Sequence, residues 1–434
     1  MLQERILLTI LPPFWPKMPP IGLGYLQSFL ETVGQKAQIL DLNNLFYRLS
    51  EDNLKREWLI SCNVHLEENI FSIIKESFPK EYKETIEKLL DYDIIGFSCF
   101  KSNFKTTLQT AALLKNRREG IKIILGGPEI TRQYFKGGCR LNTKLGDLAD
   151  FLVMGEGERS LLRYLEVNTE KIARFEQLED LSKLAFPKYQ GLEFKDYPRK
   201  DALPLQFSRG CIRRCAFCSE RLLYKGFRMR PVANLIEEIR YHREKSKINN
   251  FVFFDSMINA NPAKLEELCD EIISNFGKIN WEAQMAISID CGDELFIKMK
   301  KSGCYNLFVG LESGSDNVLK KMKKGFNRQQ AVAFFKKLKS AGLSFGISMI
   351  IGYPGETEAD FQKSLDFVLS HRNLIPKIEQ VNPFVYYEGT EADKNADYKL
   401  NKKSVERLEI FLREIKRNNF KYTNAFLGNL IEKC

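Results

Sequence analysis

Short apolar segments alternate with helix-length segments along most of this chain, and that alternation limits the folds it can adopt. Residues with helical spacing, such as Ile21–Thr32 and Asn103–Arg118, separate the apolar runs, and residues 45 to 90 read as further inserted helices. The predicted strands of this part are Ile6–Ile10, Gln38–Leu42, Tyr92–Ser98, Ile121–Leu125 and Phe151–Met154. This order is typical of an open parallel sheet with helices on both faces.

The same alternation returns after residue 203. The predicted strands there are Leu203–Phe207, Asn250–Asp255, Trp281–Ser288, Asn306–Val309, Ser344–Ile351 and Phe384–Glu388. Repeated βα units predict a partial TIM-like (β/α)6 barrel with its active groups at the carboxyl ends of the strands. We therefore expect an α/β chain with a first sheet domain at 1–165, a linker at 166–202, the partial barrel at 203–390 and a short, mostly helical region at 391–434.

Composition points to a folded protein without a membrane span. Of the 434 residues, 28% are charged, and no apolar run approaches the roughly 20 residues that a spanning helix needs. The first residues lead directly into a strand, so we expect no signal peptide and a cytoplasmic location. The net charge of +10 is spread over helix-like segments such as Lys336–Lys339. This charge indicates solvated helix faces, or a surface for an acidic substrate or protein, and no basic-aromatic pattern points to nucleic acid.

Three cysteines form the tightest cluster of potential metal ligands in the sequence. Cys211, Cys215 and Cys218 have C-x3-C-x2-C spacing directly after the predicted strand Leu203–Phe207. A structural zinc takes four protein ligands, and a [4Fe–4S] cluster takes one ligand per iron. Three cysteines therefore leave either a distant fourth ligand or an open iron. A zinc knuckle and chance thiols are the alternatives, although adding the other ligand-like pair, Cys62 and His65, would overfill a four-coordinate zinc.

The other seven cysteines show no spacing typical of a disulfide framework. We expect several of them to be buried, reduced thiols, which suits a reducing compartment and an iron–sulfur cluster. They are Cys62, Cys99, Cys139, Cys269, Cys291, Cys304 and Cys434.

With Phe217 just before the third cysteine and Arg209-Gly210 just before the first, the loop resembles the signature of the radical S-adenosylmethionine (SAM) enzymes. Ile212 stands where that family usually has proline. The resemblance implies that the three cysteines hold a [4Fe–4S] cluster whose open iron chelates the amino and carboxylate groups of SAM. It further implies that an electron, from a donor such as flavodoxin or ferredoxin, cleaves SAM to a 5′-deoxyadenosyl radical that abstracts a hydrogen atom from the substrate.

Later strand ends carry residues that match the same family. The region Gly310 to Ser315 resembles the one that meets the amino group and ribose of SAM, and the turn after Ile351 resembles the one that packs against its adenine. The implied contacts are Phe217, Gly310, Glu312, Ser315, Ile351, Gly352 and Gly355. The alternative for Glu312 is a carboxylate at a helix entry. Asp255 ends a strand in place of the family's frequent Gly-Gly-Glu, and it is the candidate catalytic residue for substrate or cofactor contact.

Glycine-rich strand ends recur in order through the first domain. Each of them alone is typical of an ordinary turn, but together they resemble the N-terminal cobalamin-binding domain of one class of radical SAM proteins, over roughly residues 4 to 165. The resemblance implies a Rossmann-like fold that holds cobalamin over its strand ends. The candidate contacts are Pro13, Gly22, Tyr25, Ser98, Gly126, Gly127, Pro128, Glu129, Gly155, Glu156 and Gly157.

The histidine that ligates cobalt in some cobalamin domains has no counterpart here. None of His65, His242 and His371 stands in the Asp-x-His-x-x-Gly context of the methionine synthase type. The resembling class commonly shares this absence, so the lower ligand of cobalt stays unassigned. The alternative is a domain that keeps the fold and has lost the cofactor.

The resemblance as a whole implies a cobalamin-dependent radical SAM enzyme that methylates an unactivated carbon, using a 5′-deoxyadenosyl radical and methylcobalamin. One alternative is a non-methylating reaction such as cyclisation or ring contraction, with cobalamin in another role. A second alternative, from a different class, is a non-catalytic cobalamin or iron–sulfur sensor. The substrate, a small molecule or a peptide, is not identified by the sequence.

Overall fold

The chain folds into two compact units, each built on its own sheet. The structure is a computed structural model, and it describes residues 4–60, 63–137, 143–167, 175–394 and 402–422. The first unit comprises Met1–Asp201 with Leu222–Lys225, and the second comprises Ala202–Arg221 with Gly226–Cys434. The described residues of the expected linker therefore belong to the first unit, apart from Ala202.

The first unit contains one five-stranded parallel sheet in the order β2-β1-β3-β4-β5. Its strands are β1 (Ile6–Ile10), β2 (Ala37–Asp41), β3 (Ile94–Ser98), β4 (Lys122–Gly126) and β5 (Phe151–Leu152). Its helices are α1 (Ile21–Thr32), α2 (Leu42–Leu49), α3 (Asp52–Trp58), α4 (Val64–Ser77), α5 (Pro79–Leu90), α6 (Phe104–Arg117), α7 (Pro128–Lys136), α8 (Thr143–Leu148) and α9 (Glu158–Val167). This strand order is that of flavodoxin-like sheets, in which ligands bind beyond the carboxyl ends of the strands near β1 and β3.

Helices bury both faces of this sheet. Consecutive side chains of a strand point to opposite faces, so each strand contributes to two cores. On one face, Leu7 and Ile95 join a core with residues of α5 and α6. On the other face, Leu8 and Ile94 join a core with residues of α1 and α9. The predicted α/β fold with helices on both faces is confirmed.

The second unit contains a seven-stranded parallel sheet in the order β14-β13-β12-β11-β10-β9-β6. Its strands are β6 (Ala202–Leu205), β9 (Asn250–Phe253), β10 (Asn280–Met285), β11 (Cys304–Glu312), β12 (Phe345–Ile351), β13 (Lys377–Pro383) and β14 (Lys421–Tyr422), and a separate antiparallel pair joins β7 (Ser208–Arg209) to β8 (Arg228–Met229). Its helices are α10 (Glu220–Leu223), α11 (Val232–Lys245), α12 (Pro262–Phe276), α13 (Asp293–Ser302), α14 (Asp316–Lys321), α15 (Arg328–Ser340), α16 (Glu358–Ser370) and α17 (Lys402–Arg417). Part of α10 is in the first unit.

Six strands, β6 and β9 to β13, form the predicted (β/α)6 arrangement. Alternate residues of β9 and β10 are buried, and Phe253 of β9 meets Trp281 of β10 edge to face, with ring centroids 5.6 Å apart. The sheet stays open because β6 and β14 are its two edges. The helical C-terminal region is present as α17, and the short strand β14 was not predicted.

The last predicted strand was wrong. Phe384–Glu388 is not a strand, and the strand beside β12 is Lys377–Pro383. A register shift between Ile347 and Ser348 spaces the buried residues Ile378 and Val381 three apart, so β13 lacks the two-residue alternation that predicts a strand. The apolar residues after it join a separate cluster around Tyr353 and Phe384.

Membrane insertion receives no support from the described helices. Within the described ranges, no helix combines the length and the apolar composition that crossing a bilayer would need.

A buried ion pair fixes the start of α11 under the carboxyl end of β6. Arg230 Nη1 lies 2.5 Å from Glu238 Oε2, and both side chains are almost fully buried. Arg230 also donates to Gln206 O at 3.0 Å, and its backbone N–H donates to Phe207 O at 2.8 Å. Removing one partner of such a pair leaves an uncompensated buried charge.

We expect Arg230→Leu to lower the free energy of unfolding of the second unit by about 3–5 kcal/mol, because Glu238 is then buried without its cation. Urea unfolding followed by tryptophan fluorescence measures this, with Trp281 as the reporter in the second unit. The double variant Arg230→Leu/Glu238→Leu should recover much of the loss. Lys264→Leu, which breaks the exposed pair with Glu267, should cost no more than about 1 kcal/mol. Equal losses for both single variants would contradict the expectation.

Candidate active site

The cysteine loop lies at the carboxyl end of β6. After β6, the short antiparallel pair of β7 and β8 aligns Ser208 with Met229, and Gly210 then turns the chain with a φ of +81°. Such a φ favours glycine, which has no Cβ. Cys211 and Cys215 are half-buried, Cys218 is exposed, and all three are free thiols.

Asp255, just beyond β9, holds the beginning of this loop. Its Oδ2 accepts a hydrogen bond from the backbone N–H of Phe207 at 2.9 Å, and its Oδ1 accepts from both the N–H and the hydroxyl of Ser208. Burial raises the pKa of Asp255 to about 6, against the lowering effect of these hydrogen bonds. The carboxylate therefore acts on the loop directly, and its catalytic role stays a prediction.

Three further hydrogen bonds connect the loop to the segments that follow β10 and α14. Arg213 donates to Ile287 O, beyond β10, at 3.0 Å and to Lys324 O, beyond α14, at 3.3 Å. The N–H of Ala216 donates to Met322 O at 3.0 Å. Backbone carbonyls of neighbouring segments thus hold the loop on both sides of Cys215.

The three thiols stay the predicted ligands of a multi-iron cluster. No three His, Cys, Asp or Glu side chains among the described residues converge on the position of a single metal ion. A [4Fe–4S] cluster needs no such convergence because each cysteine ligates a different iron. Burial raises the pKa of the Cys211 thiol. Loss of hydration also raises the pKa of the Cys218 thiol, to about 12, although the residue as a whole is exposed. Cluster binding must therefore displace protons from these thiols.

The alternative zinc pair receives no structural test, because Cys62 lies outside the described residues. His65 lies at the start of α4, where its Nδ1 contacts the Asn69 amide at 3.3 Å. Cys139 and Cys434 also fall outside the described part of the chain. The remaining four cysteines, Cys99, Cys269, Cys291 and Cys304, are buried free thiols.

Glu312 ends β11 in a strained backbone conformation. Its φ is +70°, which is uncommon for a residue with a Cβ, and the pairing of β11 with β12 shifts register between Gly310 and Glu312. The carboxylate accepts from Ser348 Oγ at 2.9 Å and lies 3.3 Å from Lys324 Nζ. Strain of this kind is often found at ligand sites, where surrounding contacts maintain it.

Lys324 is a candidate functional residue that the sequence reasoning missed. Its side chain is about nine-tenths buried, and its ammonium lies 5.8 Å from the ring centroids of both Phe217 and Phe326. A lysine is rarely buried without a partner. In the sequence, Lys324 stands close to three other lysines, and such a group usually indicates solvated charge. Only the fold shows that Lys324 lies beside Glu312.

The turn after β12 lies beside the aromatic residue of the cysteine loop. Phe217 meets Tyr353 edge to face, with centroids 6.4 Å apart, and Ile351 is buried at the end of β12. Gly352 and Gly355 have φ values of +79° and +76°. A Cβ on Gly355 would lie 2.9 Å from Lys321 Nζ. The structure therefore brings Phe217, Ile351 and the two glycines into one region.

Ser315, another expected SAM contact, uses its hydroxyl within the protein. Its Oγ donates to Asp360 Oδ1 at 2.6 Å. Burial alone would raise the pKa of Asp360, but hydrogen bonds from Ser315, Thr357 and Asn317 hold it well below its usual range. Ser315 thereby anchors the start of α16, and any contact with SAM stays a prediction.

In the first unit, several predicted residues meet at the carboxyl edge of the sheet. Pro13 follows β1 in a cis Pro12–Pro13 bond, Ser98 ends β3, and Gly126 ends β4. Gly127 has a φ of +97°, and a Cβ there would lie 2.8 Å from Cys99 O. The close approach of the two loops therefore requires glycine at this position.

Several other residues predicted to contact cobalamin make contacts within the first unit instead of facing open space. Tyr25 is buried in a cluster with Phe29 and Leu178. The remaining contacts are those of Glu129 with Arg132 at 2.9 Å, Gly155 N–H with Thr131 Oγ1 at 2.9 Å, Glu156 Oε2 with the N–H of Leu178 at 3.1 Å, and Gly157 with Leu26. Pro128 begins α7, and Gly22 is the second residue of α1, with open space where its Cβ would lie. Gly22 and the ends of β1, β3 and β4 are thus the positions left to face a ligand, and cobalamin contacts there stay a prediction.

Comparison with known proteins places the barrel in a family. Residues 205–368 match the model of the Radical SAM superfamily. An uncharacterized methyltransferase of Pyrococcus horikoshii is 26% identical over 305 residues, which cover 65% of this chain and 65% of that protein. The chain thus spans about two thirds of this relative's length. The ribosomal protein uS12 methylthiotransferase RimO of Chlamydia pneumoniae is 25% identical over 383 residues, which cover 79% of this chain and 78% of the relative.

Among solved structures, the fold matches that of the radical SAM methyltransferase TsrM from Kitasatospora setae, solved with cobalamin and a [4Fe–4S] cluster bound. The match has a TM-score of 0.68 at 15% identity and covers 90% of this chain and 77% of TsrM. The family match implies a [4Fe–4S] cluster and SAM as cofactors, and Cys211, Cys215 and Cys218 stay the predicted ligands of the cluster. Residues 205–368 are therefore similar to the Radical SAM superfamily, and the chain shares the fold of TsrM.

Proposed function

We propose that this protein is a cobalamin-dependent radical SAM enzyme that methylates an unactivated carbon of its substrate. The observation that carries the proposal is the combination within one chain of a radical SAM domain with a 2-1-3-4-5 parallel sheet whose strand ends are rich in glycine. TsrM has the same fold and is described as a methyltransferase with cobalamin bound. The Pyrococcus relative is also named a methyltransferase.

When bound, the cluster and SAM supply a carbon-centred radical, and cobalamin supplies a methyl group. The chain's own residues have to orient these groups and keep competing reactions out. Asp255 and Arg213 hold the cysteine loop in place, through the contacts described above. The chain also needs an external one-electron donor, such as flavodoxin or ferredoxin, because the Radical SAM reaction begins with a reduction.

Glu312 and Lys324 offer two opposite charges at the edge of the cluster site. Their charged atoms lie 3.3 Å apart, and both side chains are about nine-tenths buried. The region around Glu312 resembles the one that meets the amino group of SAM, and the Glu312 carboxylate can accept a hydrogen bond from that amino group. Ser348, which already donates to Glu312, keeps the carboxylate in place. Buried charges that are paired in this way discriminate well between ligands of different charge.

A second candidate function is methylthio transfer, which the resemblance to RimO favours. Both reactions move a methyl group, but methylthio transfer also adds sulfur to the product. The two functions therefore differ in product mass.

We expect Cys215→Ala to abolish cluster binding and SAM cleavage, because the variant removes one of the three predicted protein ligands of the cluster. The measurements are iron and sulfide content after anaerobic reconstitution, and 5′-deoxyadenosine formed from SAM with a strong reductant. Cys269→Ala is the matched control, because Cys269 is a buried free thiol of α12. A wild-type protein with a full cluster and no 5′-deoxyadenosine would support the sensor alternative.

We expect Gly22→Phe to weaken cobalamin binding by about tenfold or more, because the side chain would fill space beyond the carboxyl edge of the sheet. Equilibrium dialysis with hydroxocobalamin measures the effect. Gly146→Phe is the matched control. Gly146 is also a helical glycine with open space at its Cβ, but its helix, α8, precedes β5 and so ends at the opposite edge of the sheet. Equal affinity of both variants and the wild type would argue against cobalamin at these strand ends.

With methyl-deuterated SAM, we expect a product that carries the intact deuterated methyl group. Peptide and small-molecule fractions of a cell extract serve as the substrate source, and mass spectrometry of the products is the measurement. Products that also contain added sulfur would favour methylthio transfer. A product formed only with active enzyme and lacking deuterium would exclude methylation and favour cyclisation or ring contraction.

A further inference from the structure

Helix α17 lies beyond the matched radical SAM domain, which ends at residue 368, yet it packs against that domain. It contacts α16, β12 and β13. The helix is amphipathic, and its apolar buried face includes Leu408, Phe411 and Leu412. Burial of these apolar side chains stabilises the packing of the helix. The buried face also contains one charged residue, Arg407, which apolar packing does not explain.

Arg407 reaches the turn that follows β12. Its Nη1 donates to Glu356 O at 3.1 Å and lies 3.4 Å from Glu356 Oε2. Its Nη2 and Nε donate to Glu358 Oε2 at 3.0 and 3.2 Å, and its guanidinium lies 5.7 Å from the ring centroid of Phe361. The planar fork of arginine therefore connects three acceptors at the start of α16, which lysine cannot do in the same geometry.

Glu356 connects Arg407 to the backbone of the turn. Its Oε2 also accepts from the N–H of Gly352 at 2.9 Å, and its Oε1 is buried without a hydrogen-bond partner among the described residues. Burial raises the pKa of Glu356 to about 7, against the lowering effects of Gly352 and Arg407. The carboxylate is thus a costly group that depends on its two donors.

The surrounding charges place Arg407 as the main cation of this site. Glu358 and Asp360 of α16 add negative charge near Glu356. Lys403 of α17 lies 3.5 Å from Glu358, but at the exposed side of that carboxylate, and Lys321 donates to Gly355 O. Removing Arg407 would leave three acidic side chains around one short turn.

We propose that Arg407 is a positioning residue that holds the Gly352–Glu356 turn, and thereby sets the affinity of the protein for SAM. The proposal rests on the proposed function, because it takes this turn as part of the SAM site. Arg407 acts through Glu356 on Gly352, whose backbone conformation has a positive φ and is not maintained by a side chain of its own. The C-terminal helix, outside the matched domain, would then complete the site.

The test measures binding of radiolabelled SAM to the full-length, cluster-reconstituted protein by equilibrium dialysis. We expect Arg407→Gln to raise the Kd for SAM about tenfold, because hydrogen bonds to charged groups are lost. Iron content should stay at the wild-type level, because the hydrogen bonds given for Arg407 go to Glu356 and Glu358 and not to the cysteine loop. Arg407→Lys should restore part of the affinity, since it keeps the charge and loses the fork.

Arg417→Gln is the matched control. Arg417 lies at the end of the same helix and pairs with Glu414 while about two thirds exposed, so its loss should leave the Kd within twofold. Glu356→Gln and the double variant with Arg407→Gln complete a cycle. The two changes should be non-additive, because Arg407 acts through Glu356.

Wild-type affinity for SAM in Arg407→Gln and Glu356→Gln, with the wild type binding normally, would overturn this proposal alone. Additive effects in the cycle would overturn the route through Glu356. If the wild-type protein with a full cluster binds no SAM, the proposed function fails first, and this inference fails with it. If Arg407→Gln does not fold, Arg407→Lys and Glu356→Gln decide the outcome through the same Kd.

Discussion

Parallel strand pairing is the constraint on which the rest of this structure depends. All strands of the five-stranded sheet run in one direction, as do all strands of the seven-stranded sheet, so in each of them the carboxyl ends meet at a single edge. In the second unit this edge brings together the cysteine loop after β6, Asp255 after β9, Glu312 at the end of β11 and the glycine turn after β12. None of these residues is close to the others in sequence. Their proximity is a consequence of the sheet and its helical connections.

The loops at this edge are held by buried charged groups. Asp255, Glu312 and Glu356 each accept backbone or hydroxyl hydrogen bonds, and the last two also lie beside a cation. A carboxylate in such a place loses hydration, so it is retained only with donors around it. The donors are loop N–H groups in two of the three cases. Burying these carboxylates costs free energy unless the loop donors stay in place. The loops are therefore held in the conformations that supply those donors.

Much of the fold was predictable because it depends on local patterns. Apolar runs of five or six residues mark buried parallel strands, and the bounds of β1, α1 and β12 agree with the prediction to within a residue. Prediction failed where tertiary context replaced the pattern. The strand β13 has its buried residues three apart at a register shift, and the aromatic run after it packs into a cluster. The cysteine loop could be singled out from its spacing, but the burial of Lys324 and Arg407 could not be predicted, because lysines and arginines in helices and turns are usually solvated.

The sequence by itself determined the alternation of strands and helices, the three-cysteine loop and the glycines at the strand ends. Each of these follows from residue type and spacing over a few positions. Only the tertiary structure decided which charged side chains are buried beside those motifs. The pairing of Glu312 with Lys324 spans 12 residues and that of Glu356 with Arg407 spans 51. Such pairs form because the fold buries both charged groups at the same place, where their attraction is stronger than in water. The spacing of residues along the chain does not indicate which groups will meet in this way.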